Sequence, residues 1–193
     1  MNITVYCGAA EGHDPEYIER ARELGAWMAA NGHRLVYGAG NSGMMGAVSD
    51  ALIEGGGEAI GVTPQFFVLA EETRSDLTEV VIADDMSTRR NWMIEHGDAF
   101  IALPGGMGTL DEITEVMTYR RLGLLGKFNK PIMVYNVNGY YDRLFDFLDD
   151  MRREDFCREI DRESVIEVTC IEDIERALEN ALVIDEKRNS KYD

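Results

Sequence analysis

Lysine is scarce in this sequence, and its scarcity limits the chemistry that the chain can support. Only four lysines occur, and all of them lie outside the glycine-rich segments, at Lys127, Lys130, Lys187 and Lys191. A Schiff base with pyridoxal phosphate needs a lysine within the site. A lysine also completes the glycine-rich loop of nucleotide triphosphatases. The sequence therefore argues against an amino-acid decarboxylase that uses pyridoxal phosphate and against triphosphate hydrolysis.

Cysteine and long apolar segments are also rare, which bears on the compartment. Cys7, Cys157 and Cys170 form no CxxC pair, so we expect free thiols in a reducing cytosol and no disulfide frame. No run of 18 apolar residues occurs, and no transmembrane helix is predicted. The N-terminal MNITVYCG lacks a basic region and a cleavage site, so we expect no signal peptide. Together these features predict a cytoplasmic protein.

Positive charge is low as well, with 19 basic against 36 acidic residues and a net charge of −17. Such a surface repels nucleic acid polymers and anionic membranes, although a pocket that is locally positive can still bind a small anion. The histidines His13, His33 and His96 are isolated, and no HExxH motif occurs, so no metal site is predicted. The GxSxG motif of serine hydrolases is also absent.

Short apolar runs alternate with amphipathic helical patterns along the chain. Predicted strands are Ile3–Cys7, Arg34–Tyr37, Ala59–Val62, Thr78–Ile82, Ala99–Leu103, Pro131–Asn136 and Val165–Val168. Predicted helices are Asp14–Asn31, Met44–Ile53, Thr88–His96, Leu110–Leu122, Tyr141–Arg152 and Ile171–Leu182. This alternation is typical of an α/β fold, a single-domain, Rossmann-like, doubly wound parallel sheet with helices on both faces. We expect one domain over residues 1–184, with a polar, flexible tail over 185–193.

The first glycine-rich loop, GAGNSGMMG, follows the second predicted strand. Gly38, Gly40 and Gly43 spell GxGxxG, a dinucleotide fingerprint that is weak on its own. A dinucleotide site also needs an acid at the end of the next strand, roughly 20 residues on, but Glu58 precedes its strand. We interpret Gly40, Gly43 and Met44 as a backbone surface beside a nucleotide. The alternative is a plain strand–helix turn in which glycine permits tight packing.

The second glycine-rich loop, PGGMGT, runs from Pro104 to Thr109 after the most apolar strand. Only two residues separate Gly105 from Gly108, and no lysine follows, so the loop does not match that of triphosphatases. A row of backbone N–H groups at a helix start suits one phosphate group. The Thr109 hydroxyl can add a hydrogen bond. All strand–loop–helix turns of a parallel sheet gather at one edge, where ligands bind.

Two charged groups near this edge have both a structural and a functional interpretation. Thr109 and Glu112 have the spacing of a capping box, the common role for this pattern at a helix start. Arg89 and Arg90 open the helix after the fourth strand, where arginine opposes the helix dipole. A bound anion would explain these two arginines, and the alternative is a solvated helix face.

The residues resemble one known family. The matching segments are VYCG, LVYGAG, GMMG, GVTP, MSTRRNWM and DAFIALPGGMGTLDE, of which the last two are the most specific. The motif PGGxGTxxE is present in full. On these segments the chain, from about Ile3 to Leu182, resembles the Lonely Guy proteins, the cytokinin riboside 5′-monophosphate phosphoribohydrolases. Many bacterial members carry the label "lysine decarboxylase-like".

The resemblance implies an enzyme that hydrolyses the N-glycosidic bond of a nucleoside 5′-monophosphate, giving ribose 5-phosphate and a free base such as adenine. It places the catalytic pair on Arg89 and Glu112. It places the nucleotide contacts on Glu71, Arg90, Gly106, Met107, Gly108, Thr109, Leu110, Asp111 and Thr118, beside Gly105 of the same loop. It implies homodimers or larger assemblies and no metal or organic cofactor.

The sequence departs from the family pattern at several positions. Ser87 replaces a histidine, Arg90 a lysine, and Arg74 stands where a histidine often follows Glu71. Tyr119 and Arg121 replace a tryptophan and a glutamine, and Ala39 interrupts a run of three glycines. We expect these departures to affect the base preference more than the reaction. An alternative from another class is a non-catalytic module that binds AMP-like nucleotides as a sensor.

Overall fold

The computed structural model describes residues 1–69, 74–126 and 130–189, and its core is a seven-stranded, wholly parallel sheet. The strands pair in the order β4-β3-β2-β1-β5-β6-β7. Their bounds are β1 Asn2–Tyr6, β2 Arg34–Tyr37, β3 Ala59–Pro64, β4 Glu79–Ala83, β5 Ala99–Ala102, β6 Ile132–Tyr135 and β7 Val165–Val168. Each predicted strand is present, with ends that differ by at most two residues.

Helices connect the strands and cover both faces of the sheet. Their bounds are α1 Pro15–Ala30, α2 Gly43–Glu54, α3 Gln65–Leu69, α4 Met86–His96, α5 Met107–Arg121, α6 Asp142–Arg153, α7 Glu159–Glu163 and α8 Ile171–Asn189. The short helices α3 and α7 were not predicted. Helix α8 continues through residues 185–189, which the sequence assigned to a tail, so the domain boundary stays a prediction. No described helix has the length and apolar content to cross a membrane.

The alternation of side chains along the central strands explains the two helix layers. On β1, Ile3 and Val5 belong to the core cluster that packs under α1, α2 and α8. Tyr6 of the same strand belongs to the opposite cluster, under α4, α5 and α6. Strand β5 divides in the same way, with Ile101 on one side and Phe100 on the other. Since both faces are buried, the continuous apolar run of β5 is what a central parallel strand requires. The predicted doubly wound α/β fold is confirmed.

The strand order reverses between β1 and β5, and this brings two loops side by side. Tyr6 and Ala102 are in register, so the two strands end at the same height. The amide of Gly8, just after β1, donates to the Pro104 carbonyl after β5 at 3.1 Å. A crevice at such a reversal is the usual ligand site of an open α/β sheet.

Candidate active site

A cavity of about 360 Å³ lies at this reversal, at the carboxyl ends of the strands. Loops after β1, β2 and β5 form its walls together with the starts of α4 and α5. Eight of the predicted site residues line it, namely Gly40, Arg89, Arg90, Gly106, Gly108, Thr109, Asp111 and Glu112. The two glycine-rich loops and the arginine-bearing helix therefore meet around one space, as the pattern predicted.

Arg89 and Glu112 form a buried ion pair in the cavity wall. The Arg89 Nη1 lies 2.6 Å from the Glu112 Oε1, and the two side chains are only 10% and 11% exposed. The Arg89 Nε also donates to the Val62 carbonyl at 2.8 Å, which fixes the guanidinium against β3. A Cβ on Gly38 would stand 2.5 Å from the Arg89 Nη2, so glycine leaves the room that this arginine occupies. The solvated-face alternative is wrong for Arg89.

The pKa of Glu112 reflects two opposing effects. Burial raises the pKa of the Glu112 carboxyl above its ordinary value, while the charge and hydrogen bond of Arg89 lower it. Burial is the larger effect. Arg89 therefore favours the ionised form of Glu112, against the effect of burial. Burial thus favours the neutral Glu112 carboxyl, whereas the guanidinium of Arg89 and, to a smaller extent, that of Arg90 favour its charged form.

The capping-box interpretation of Glu112 is wrong. Helix α5 begins at Met107 with Gly106 as its N-cap, and no side chain caps this end. Thr109 is therefore the third residue of the helix and not its cap. The Glu112 carboxylate turns toward Arg89 of α4, so its partner is tertiary and lies 23 positions away in sequence.

Arg90 is also balanced by carboxylates of α5. Its Nε donates to the Glu115 Oε2 at 2.7 Å, and its Nη1 lies 3.5 Å from the Asp111 Oδ2. Together with the Arg89–Glu112 pair, two guanidinium groups face three carboxylates. These acids account for both arginines without a bound anion, contrary to the argument from the helix dipole. The side chains alone do not make the cavity strongly positive, so the backbone N–H groups matter more for binding a phosphate.

The three glycines of the second loop have different roles. A Cβ on Gly105 would lie 2.2 Å from the Thr109 Oγ1 and 2.8 Å from the Gly8 amide nitrogen, so only glycine fits there. A Cβ on Gly106 or Gly108 would meet no atom within 4 Å, although both residues line the cavity. Gly105 thus permits packing, whereas Gly106 and Gly108 keep the cavity wall open.

Replacing Gly108 by alanine is expected to raise stability slightly and to weaken ligand binding. Alanine favours the helix by up to about 1 kcal/mol, and nothing in the fold obstructs its methyl group. That methyl group would occupy the cavity wall, and we expect a loss of about tenfold in affinity for the nucleotide that the family resemblance implies. Chemical denaturation and calorimetric titration with AMP measure the two quantities. Unchanged affinity would show that no ligand approaches Gly108.

Several predicted site residues do not line the cavity. Met107 is 81% exposed, Leu110 is half-buried, and Thr118 is exposed with its hydroxyl donating to the Thr114 carbonyl at 2.9 Å. Gly105 lies behind the wall. Glu71 lies outside the described residues.

Gly43 and Met44 of the first loop serve packing. Gly43 has a φ of +59°, and a Cβ there would lie 2.1 Å from the Ala9 carbonyl oxygen. Met44 is buried in the core. For these two residues the structure agrees with the tight-turn alternative, whereas Gly40 of the same loop lines the cavity.

Gly38, the first glycine of the GxGxxG pattern, also lines the cavity. The remaining residues of the wall were not predicted as site residues, and they are Val5, Tyr6, Cys7, Gly8, Ala9, Met45, Thr63, Phe67 and Met86. The position of Gly8 directly after the first strand, at the reversal of strand order, was the one usable clue. The Cys7 thiol is not an activated nucleophile, because burial raises its pKa far above the ordinary value.

Of the departures from the family pattern, Arg90 lines the cavity, and the other described ones lie outside its lining. Arg74 ties its segment to α2 through Asp50 and Ser49, and its amide donates to the Ala39 carbonyl at 2.9 Å. Ala39 has a φ of +63°, a conformation that favours glycine, which is why a glycine suits this position. Tyr119 donates its hydroxyl to the Asn91 side chain at 2.8 Å.

Comparison with known proteins gives a consistent family. A family model described as "Possible lysine decarboxylase" matches residues 45–180. The chain is 38% identical to the cytokinin riboside 5′-monophosphate phosphoribohydrolase LOG1 of Arabidopsis thaliana, over 98% of this chain and 87% of that protein. It is 40% identical to the cytokinin riboside 5′-monophosphate phosphoribohydrolase of Rhodococcoides fascians, over 92% of this chain and 87% of that protein.

Solved structures share the fold at lower identity. The molybdenum cofactor carrier protein of Chlamydomonas reinhardtii aligns with a TM-score of 0.69 and 20% identity, over 94% of this chain and 98% of that one. The molybdenum cofactor binding protein of Rippkaea orientalis aligns with a TM-score of 0.67 and 21% identity, over 94% and 96%. At such identities the likeness concerns the architecture alone.

Proposed function

The chain belongs to the Lonely Guy family, and from this premise we propose that it is a phosphoribohydrolase acting on a nucleoside 5′-monophosphate. The substrate is AMP or an N6-substituted AMP such as isopentenyl-AMP, and the products are the free base and ribose 5-phosphate. One observation carries the proposal. A buried arginine–glutamate pair and an open glycine loop at a helix start share one cavity.

Glu112 is the proposed catalytic carboxylate. Breaking the bond between the base and C1′ leaves the bonding electron pair on the base and positive charge on the sugar. A carboxylate beside the sugar stabilises that charge or orients the attacking water, as in glycoside hydrolysis. The water supplies a hydroxyl group to C1′ and a proton to the base, so no further reactant is needed. The position of Glu112 in the cavity wall supports this role.

Arg89 is the proposed partner that keeps Glu112 competent. Burial favours the neutral carboxyl, which could not stabilise a positive sugar. The guanidinium opposes this effect at 2.6 Å and is itself held by the Val62 carbonyl. The family resemblance assigns the catalytic role to this same pair.

The start of α5 is the proposed phosphate site. Its first N–H groups have no side-chain cap, and Gly106, Gly108 and Thr109 line the cavity. Uncapped N–H groups at a helix start bind anions well. Binding energy from a phosphate held there can position the scissile bond. Arg90 and Asp111 at the rim, and Glu71 by resemblance, are the further proposed contacts.

A lysine decarboxylase activity is not supported, despite the wording of the family model. None of the described residues that line the cavity is a lysine, so these residues offer no amine for a pyridoxal phosphate Schiff base. The net charge of −17 likewise opposes binding of nucleic acid polymers.

Incubation with AMP and with isopentenyl-AMP tests the proposal. We expect free base and ribose 5-phosphate in equal amounts, detected by chromatography. Tight binding of either nucleotide without product would instead indicate the non-catalytic sensor. Carbon dioxide release from lysine, measured in parallel, should stay at background.

We further propose a homodimer or higher homo-oligomer in the cytoplasm. Exposed apolar side chains support self-association, among them Leu122, Leu124 and Phe156 at 63%, 59% and 77% exposure. The described cysteines are all free thiols, in keeping with a reducing compartment. Light scattering on the purified chain measures the assembly, and a strictly monomeric mass would contradict it.

A further inference from the structure

Three consecutive carbonyl groups that lead into α5 are each held from outside the loop. The Leu103 carbonyl accepts a hydrogen bond from the Tyr141 hydroxyl at 2.8 Å. The Pro104 carbonyl accepts one from the Gly8 amide at 3.1 Å. The Gly105 carbonyl accepts one from the Tyr140 hydroxyl at 2.6 Å. The backbone of this loop is therefore oriented by Gly8, which follows β1, and by two tyrosines that directly precede α6.

Fixing a carbonyl also fixes the next N–H. A trans peptide unit is planar, with its C=O and N–H pointing in opposite directions, and no cis peptide occurs here. The hydroxyl of Tyr140 holds the Gly105 carbonyl, so the N–H of Gly106 in the same peptide unit points away from Tyr140. Gly106 is the N-cap of α5 and lines the cavity.

The side chain of Tyr140 is held in place by aromatic contacts although it is 44% exposed. Its ring packs edge-on against Tyr17 of α1, with ring centroids 5.5 Å apart, and against Tyr141, with centroids 4.8 Å apart. The buried Asn136 accepts a hydrogen bond from the Tyr141 amide at 2.7 Å and donates to Asp142 at the same distance. These contacts fix the backbone that carries both tyrosines.

We propose that Tyr140 is a positioning residue for phosphate recognition, acting through the Gly105 carbonyl to aim the Gly106 N–H at the substrate phosphate. This inference rests on the function proposed above, since it needs a phosphate at the start of α5. Tyr140 does not line the cavity, and its contribution is to the direction of a backbone donor. Loss of the Tyr140 hydroxyl should therefore weaken the binding of ligands with a phosphate more than the binding of ligands without one.

Tyr141 provides a matched comparison within the same segment. Its hydroxyl makes the same kind of bond, to the carbonyl of Leu103. The nitrogen of that peptide unit belongs to Pro104, which has no N–H to orient. Tyr141 is also more buried, at 6% exposure. Removing its hydroxyl should lower the unfolding midpoint without a selective effect on phosphate.

The experiment compares Tyr140→Phe, Tyr141→Phe and Tyr17→Phe, each in the full chain with Glu112→Gln so that nucleotide is not consumed. Dissociation constants for AMP and for adenosine are measured by calorimetric titration. We expect Tyr140→Phe to weaken the affinity for AMP about fivefold to tenfold, which corresponds to the loss of one hydrogen bond, and to leave the affinity for adenosine unchanged. The other two variants should leave the ratio of the two constants unchanged.

Other outcomes would overturn the inference. An unchanged ratio in Tyr140→Phe, or an equal change in Tyr141→Phe, means that Tyr140 does not aim a phosphate donor. A parent protein that binds AMP no more tightly than adenosine has no phosphate site at this loop, which also ends the inference. Release of base from AMP by the wild-type chain is measured separately and decides the proposed function. The two results are independent. Wild-type protein that releases no base contradicts the proposed function even if the ratio of dissociation constants supports the role of Tyr140. An unchanged ratio contradicts the role of Tyr140 even if base is released.

Discussion

Glu112→Gln is expected to abolish release of the base while nucleotide binding survives. Glutamine keeps the volume of the side chain but carries no charge, so it cannot stabilise a positive sugar. Removal of one such preorganised group costs about a hundredfold to a thousandfold in rate, and we expect a loss at the upper end because the site is buried. Affinity for AMP should be unchanged or higher, since a negative charge has left the neighbourhood of an anionic ligand.

A matched control lies one helical turn along the same helix. Glu115→Gln removes the same charge from α5, but Glu115 pairs with Arg90 and does not line the cavity. This variant should keep kcat near the wild-type value. Single-turnover base release and equilibrium binding are measured for both variants. Wild-type rates in Glu112→Gln would remove Glu112 from the mechanism.

Arg89→Ala should lose both activity and stability. The substitution leaves the buried Glu112 without its partner and the Val62 carbonyl without its side-chain donor. Breaking a buried pair by removing one partner costs about 3–5 kcal/mol, and the two side chains here are nearly as buried as that range assumes. We therefore expect a fall of about 3 kcal/mol in the free energy of unfolding, measured by chemical denaturation, with no detectable base release.

Arg89→Lys separates the catalytic loss from the structural one. Lysine keeps the charge, but its compact ammonium group cannot reproduce the planar geometry that contacts Val62 and Glu112 together. Lysine therefore lowers the pKa of Glu112 less than arginine does, and the effect of burial raises this pKa further in the variant. Since the ionised carboxylate is the active form, the acid limb of the kcat/KM profile should move to higher pH in this variant. An acid limb at the wild-type position would show that a group other than Glu112 controls it.

Much of the architecture could be predicted because burial on both faces leaves a simple trace in sequence. The run AFIA of β5 is wholly buried, and the apolar pattern identified it as a central strand. Helices α3 and α7 have five residues each, too few to show a helical period, and both were missed. The polar residues from Asp185 onward suggested a tail, yet helix α8 runs to Asn189, because lysine, arginine and glutamate are good helix formers.

The site residues that could be predicted from the sequence are those in glycine-rich or charged segments. The apolar residues of the site could not be predicted. Glu112 had a local explanation, the capping box, and only the packing of α4 beside α5 replaces it with Arg89. No pattern in one sequence states that two helices meet at those two positions, so the pair came from the family resemblance. Phe67 and Met86 reach the cavity from elements with no glycine signature, and apolar residues there are indistinguishable from core.

The contact between Gly38 and Arg89 changes what the GxGxxG pattern means in this chain. In dinucleotide-binding proteins such glycines let the backbone approach a pyrophosphate. Here the space that a side chain at position 38 would need is occupied by a guanidinium from α4, since a Cβ on Gly38 would stand 2.5 Å from the Arg89 Nη2. In this chain the first glycine of the pattern therefore makes room for an arginine side chain and not for a cofactor. A motif search that accepts the glycines alone would place this chain among dinucleotide enzymes, whereas one that also requires the arginine after the fourth strand would not.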